Sequence, residues 1–275
     1  MSVLLVIILV LITASANAKE IKYTGSTPAG PEVRHFLGIP LSDSVDFIRW
    51  MLTINDNQYT LDCNYGLSKP NTAGFINNGK MIKLSGLVSN KNNIYQFGNK
   101  NSYLNVAIIN INILQLLDDN KNMLVGNGGW SYTLNNTAVV ATTNSINVNP
   151  SYMPFKDSLL LEGRTPCAIP GLLQEGTVCY KLKWLIVMYN NGKSNTGSYI
   201  VFSNLWSRQQ KKSGIWSFIK NNGNYSFYQL TDANKRLPFF LVKMDDNIFM
   251  FADKDGSLLV GDEDFSYTLN RIAKY

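Results

Sequence analysis

Between Gln58 and Tyr65 the side chains alternate: Tyr59, Leu61, Cys63 and Tyr65 stand on one side, Thr60, Asp62 and Asn64 on the other. A period of two belongs to a β-strand with one buried face. The run Asp46 to Ile54 is strand-like as well, and Asn55-Asp56-Asn57 between them has a turn composition, so the pair predicts a hairpin. Further strands are predicted over Lys80 to Val88, Ile94 to Phe97, Tyr103 to Ile109, Ile111 to Leu117 and Gly129 to Asn135. The segments between them are rich in Asn, Gly and Asp, residues that tolerate left-handed backbone or bond their own main chain. No helical period in this half survives about 12 residues without a Gly, Pro or Asn cluster. Gly25 to Pro31 (GSTPAGP) holds enough Gly and Pro to predict a structured loop. Many short, evenly spaced strands predict an antiparallel barrel or sandwich, and closure into a barrel removes the exposed edges.

The same pattern occurs twice. Leu124 to Asn135 reads LVGNGGWSYTLN; Leu259 to Asn270, 135 positions later, reads LVGDEDFSYTLN, with eight of twelve positions identical. Ile48-Arg49-Trp50 returns as Leu182-Lys183-Trp184, and Gly25-Ser26-Thr27-Pro28-Ala29 as Gly163-Arg164-Thr165-Pro166-Cys167. A period this long fits two whole domains of one fold, not a short-repeat solenoid. Strands of the second copy are expected over Tyr180 to Tyr189, Ser198 to Ser203, Ile215 to Lys220, Tyr225 to Leu230, Pro238 to Lys243, Ile248 to Ala252 and Phe265 to Asn270. The expected organisation is a signal peptide over 1–18, a barrel over 19–136, a linker over 137–157 and a second barrel over 158–275.

The signal peptide rests on an uncharged start, the apolar run Val3 to Ile12 and the small residues of Ala16-Asn17-Ala18. That run is shorter than the roughly 20 residues needed to span a bilayer, and no later stretch is long and apolar enough. No cysteine follows the expected cut, so a lipoprotein anchor is not expected. Export makes disulfides permissible. Cys167 and Cys179 share one Pro/Gly-rich loop and are expected to pair, whereas Cys63 falls on the apolar face of its strand and reads as a buried thiol. The 25 Lys and Arg against 19 Asp and Glu give a net charge of +6, with the basic residues scattered. Nucleic-acid binding, which needs a clustered basic face, is not expected.

Catalytic templates find no support. His35 is the only histidine and has no Gly-x-Ser-x-Gly partner motif, and no cluster of His, Cys and carboxylates has zinc-ligand character. Asp43 with Asp46, and Asp262-Glu263-Asp264, are the nearest to paired carboxylates. The latter replaces Asn127-Gly128-Gly129 of the first copy and reads as a solvated turn. Asp253-Lys254-Asp255-Gly256 lacks the remaining ligands of a calcium loop. Trp50 with Trp184, Trp130 with Phe265 and Tyr132 with Tyr267 are equivalent across the copies and read as core. Trp206, Trp216, Tyr225 and Tyr228 are freer of that constraint and form the candidate ligand surface. No cofactor is expected.

Gly163, Thr165, Pro166, Cys167, Ala168, Pro170, Gly171 and Leu172 fit a G-x-(L/T)-P-C-A-x-C-P-G-(I/L) loop with one gap, and Phe251, Asp253 and Gly256 fit a L-x-x-(L/F)-D-x-x-G hairpin. In the first copy Gly25, Thr27, Pro28 and Ala29 fit, then Gly38 and Ile39 after an insertion. On these residues the chain resembles two tandem copies of the amino-terminal domain of NlpE-type copper-resistance and envelope-stress lipoproteins. The resemblance implies a small lipocalin-like barrel in each half, facing the periplasm or exterior of a Gram-negative bacterium. The family's paired cysteines are not kept: Ala29 stands at one position, and Cys167 lacks its close partner, so metal sensing by that pair does not transfer.

Together these readings give an exported, non-catalytic binding or interaction protein of a bacterial cell envelope, meeting an unidentified small ligand or an envelope protein. The alternatives are a carrier of an apolar or glycan ligand and an enzyme without a motif.

Overall fold

A computed structural model of the chain describes residues 20–99, 102–141, 146–147, 155, 158–170, 172, 179–192, 195–205, 211–220, 226–232 and 238–272. The expected signal peptide and most of the linker lie outside these residues. Strands β1 (Ile21–Pro28), β2 (Phe47–Asn55), β3 (Gln58–Gly66), β4 (Lys80–Lys91), β5 (Ile94–Asn99), β6 (Ser102–Asn110), β7 (Ile113–Leu117) and β8 (Thr133–Asn136) pair each with the next, and β8 returns to β1. The second copy repeats the circuit with β9 (Ser158–Thr165), β10 (Leu182–Asn190), β11 (Thr196–Ser203), β12 (Lys212–Lys220), β13 (Ser226–Asp232), β14 (Phe239–Lys243), β15 (Ile248–Ala252) and β16 (Thr268–Arg271). The chain is therefore all-β: two closed, eight-stranded antiparallel barrels in tandem. Among the described residues no helix is long and apolar enough to cross a membrane.

The loop expected over Gly25 to Pro31 is instead the end of β1, followed by a short helix, α1 (Pro31–Leu37). The physical reason is close approach. Gly25 lies opposite Trp50, and a Cβ there would come within 2.7 Å of the Thr133 carbonyl of β8. Gly163 repeats this opposite Trp184, 2.7 Å from the Thr268 carbonyl. These glycines let the closing strand reach β1 and β9, a use of Gly inside a strand rather than a loop signal. Helix α1 begins with Pro31, whose fixed φ suits a first helical turn, and stops at Gly38 in left-handed geometry. Its Val33, Phe36 and Leu37 join the buried cluster inside the first barrel and plug one end.

Each barrel is filled with side chains. The first packs Tyr23, Trp50, Tyr59, Leu61, Cys63, Leu104, Val106 and Leu116 on its axis. The second packs Trp184, Met188, Tyr199, Trp216, Tyr228, Phe249 and Phe251. The indole N–H of Trp50 donates to Thr27 Oγ1 at 2.8 Å and that of Trp184 to Thr165 Oγ1 at 2.9 Å, so both buried indoles are satisfied alike.

The two barrels meet across a seam that obeys the same offset of 135. Ala107, Ile109, Ile113 and Leu117 form one cluster with their equivalents Val242, Met244, Ile248 and Ala252. Ser131 Oγ meets Ser266 Oγ at 2.6 Å, and Thr133 Oγ1 meets Thr268 Oγ1 at 2.9 Å. The Gly126 N–H donates to Asn270 Oδ1 at 2.7 Å, and the Gly261 N–H to Asn135 Oδ1 at 2.8 Å. Residue i meeting j while the equivalent of i meets the equivalent of j is the signature of a two-fold contact between like subunits, here within one chain. Strands β7 and β15 are consequently buried at every position, one face on a barrel core and the other on the seam.

Asn135→Ala and Asn270→Ala each strand a part-buried N–H of the opposite barrel, so each should lower stability by about 1–2 kcal/mol, and by similar amounts, in urea denaturation. Burial also pushes the phenols of Tyr132, Tyr199 and Tyr267 up to about 12. The folded state therefore keeps its protons where the unfolded chain, ionising near pH ~10, has lost them. Stability should hold below about pH 10 and fall towards pH 12, by up to roughly 1.4 kcal/mol per pH unit per tyrosine. Denaturation midpoints that stay level across that window would contradict it.

Candidate functional site

Where the barrels join, rings and cations alternate. At the start of β2, Phe47 stacks between Phe75 at 4.1 Å and Trp130 at 4.7 Å between ring centres, nearly parallel to both. Two residues on, the outward-facing Arg49 covers the edge of this stack, 6.0 Å from Phe47 and 5.9 Å from Phe75. Its guanidinium donates to the Ala73 carbonyl at 2.7 Å and to the Asp264 carboxylate of the second barrel. From β9, Arg164 lies 5.5 Å over the Trp130 ring. Lys181, just before β10, sits 5.1 Å from Tyr180 and 5.4 Å from Phe265, whose rings meet edge to face at 6.1 Å.

These groups and the loop 68–73 enclose a cleft of about 110 Å³, lined from both barrels by Trp130, Arg164, Tyr180, Lys181, Asp264 and Phe265 among others. Burial draws the Lys181 amine below its ordinary range, and the charges of Arg164 and Lys183 add to the effect. Burial raises the Asp264 carboxyl, against the pull of Arg49. A half-buried, mainly cationic cleft with aromatic walls can bind; it has no nucleophile paired with a base.

The residues singled out from the sequence fall elsewhere. Trp216 and Tyr228 are 2% and 1% exposed and pack against each other at 5.6 Å inside the second barrel, so they do not form an outer ligand surface. Their strand positions alternate inward, and filling a barrel of this size takes rings from several strands. Trp206 and Tyr225 lie outside the described residues. Cys167 and Cys179 are bonded, with Cα atoms 6.1 Å apart, and Cys63 is free and buried. Asp43 is ion-paired with Lys80 at 2.8 Å, and Asp46 accepts the Ser68 N–H at 2.8 Å, so these carboxylates hold loops. Asp253 likewise accepts the N–H groups of Asp255 and Ser257. Among the described residues no group of three or more His, Cys, Asp or Glu could hold a metal ion.

Arg49, Arg164 and Lys181 were not legible as a site. The one signal was the contrast between copies, Asp262-Glu263-Asp264 against Asn127-Gly128-Gly129, which puts a carboxylate on one side of an otherwise two-fold seam. The Cys167–Cys179 disulfide also bears on the cleft, because Cys179 is followed directly by Tyr180 and Lys181 and packs on the barrel core. The chain matches no family model, no curated protein and no solved structure.

Reduction of the disulfide should cost about 3 kcal/mol from the entropy of its short loop and release Tyr180 and Lys181 from their fixed approach to Phe265. The buried Cys63 thiol, pushed well up by burial, should stay unreactive in the folded protein. Urea midpoints with and without reductant, and thiol counting with an alkylating reagent, check both; an unchanged midpoint counts against the anchoring role.

Proposed function

We propose that the chain is an exported, non-catalytic binding protein of a bacterial cell envelope, meeting its ligand or partner at the junction of the barrels. The observation that carries this reading is that each barrel is filled by its own side chains, while cations and rings from both converge on one outer cleft. A ligand carried inside a barrel would have to displace Trp50 and Tyr59, or Trp184 and Trp216, all nearly inaccessible. Export is supported by the leader-like residues 1–18 and by the disulfide, which persists in oxidising compartments. The NlpE-like order of motifs supports the envelope as its place. The carboxylates considered earlier for acid–base work, Asp43 and Asp46, are engaged in holding loops, which supports binding over catalysis.

Hydrogen–deuterium exchange of the full chain, with and without an envelope extract of the source organism, tests the reading. Protection should concentrate at 68–73 and at Tyr180 and Lys181. Protection confined to barrel strands would place the ligand inside a barrel, and none anywhere would remove the binding function.

A further inference from the structure

We propose that the junction cleft is a binding site for a compact oxyanion, a carboxylate, phosphate or sulfate group, gripped by Arg164 and Lys181. This rests on the reading of the junction as the binding site and names what it takes. The register of β9 on β10 places Arg164 directly opposite Lys183, with Lys181 two residues along. Like charges facing each other across a sheet are destabilising, so three cations here oppose the fold unless an anion joins them. Among the described residues Arg164 and Lys181 make no ion pair or hydrogen bond through their side chains; their contacts are the faces of Trp130, Tyr180 and Phe265. The nearby carboxylates do not fill the gap. Asp264 is taken by Arg49 of the other barrel, and Glu162 lies against Gly128 without an ion pair.

A guanidinium offers five N–H donors and an ammonium three, and neither can accept. With the rings fixing both cations, little ordering remains to be lost when an acceptor arrives. Burial first, and then the charges of Arg164 and Lys183, disfavour the Lys181 amine as a cation, a cost that a bound anion would offset. The volume of about 110 Å³ is well under the roughly 300 Å³ of a pocket for a drug-sized ligand, so one oxyanion group fits and a whole lipid does not.

The test is calorimetric titration of the full chain with sodium phosphate and with sodium acetate at constant ionic strength, with Trp fluorescence as a second readout. The wild type should saturate with at least one of them. Arg164→Gln and Lys181→Gln should each weaken binding about tenfold or more, the loss of a charge-assisted bond. Lys254→Gln, which removes the same charge from an exposed turn, should leave it unchanged. Arg164→Lys should fall between, and cooperative melting at or above the wild-type temperature shows that the variants fold. Saturation by neither anion, or equal weakening in all three Gln variants, overturns the proposal. Sedimentation with vesicles of phosphatidylglycerol in phosphatidylcholine, competed by free phosphate, would assign the group to a lipid headgroup; saturation without sedimentation assigns it to a free small anion. If junction protection by envelope extract survives in the Arg164→Gln, Lys181→Gln double variant, the oxyanion assignment falls while the junction stays the binding site.

Discussion

Everything in this molecule depends on burying both faces of β7 and β15. A strand of a small barrel normally has one face on the core and one on water; these two turn their outer faces on each other, Ile113 and Leu117 against Ile248 and Ala252. Water is thereby removed from the seam, so every polar group there must find a partner across it. The paired Ser131 and Ser266 hydroxyls and the reciprocal bonds of Asn135 and Asn270 are the outcome. The identity of the two LVG...SYTLN segments is explained by this demand: residues that bond their own equivalents are constrained in both copies at once.

The symmetry breaks in a directed way. Thr133 donates to Gln115 Oε1 at 2.8 Å, so in its contact with Thr268 it must accept. The equivalent of Gln115 is Met250, which offers no comparable acceptor, and Thr268 is left as the donor. The proton order is thus fixed by one difference between the copies. At the mouth of the same seam, the difference between Gly129 and Asp264 has a larger effect: it gives Arg49 a carboxylate and leaves Arg164 with only a ring.

The fold was legible because its signals are local and repeated. Alternation over Gln58 to Tyr65, Asn-rich turns and the duplicated segment lead directly to two barrels. The glycine at 25 misled because a strand glycine and a loop glycine look alike in a sequence; only the Thr133 carbonyl, more than 100 residues away along the chain, distinguishes them. The cleft was hidden for the same reason. Phe47, Trp130, Arg164 and Lys181 are far apart in the chain, and it is the seam between two domains that gathers them. Trp216 and Tyr228, being unmatched between copies, read as free for a ligand; Ile215 and Phe227 are apolar on the opposite faces of the same strands, so the pattern did not decide which face is inner, and the barrel buries Trp216 and Tyr228.

Joining the two halves in one polypeptide has a genetic consequence. In a dimer of identical chains any substitution at the seam is made twice, and whatever lies on the axis must itself be two-fold. A covalently joined pair escapes that rule: Asp264 could arise on one side while Gly129 stayed on the other. Mutation could then shape the groove around a guest that has no symmetry of its own, without disturbing the self-matching contacts that keep the halves together.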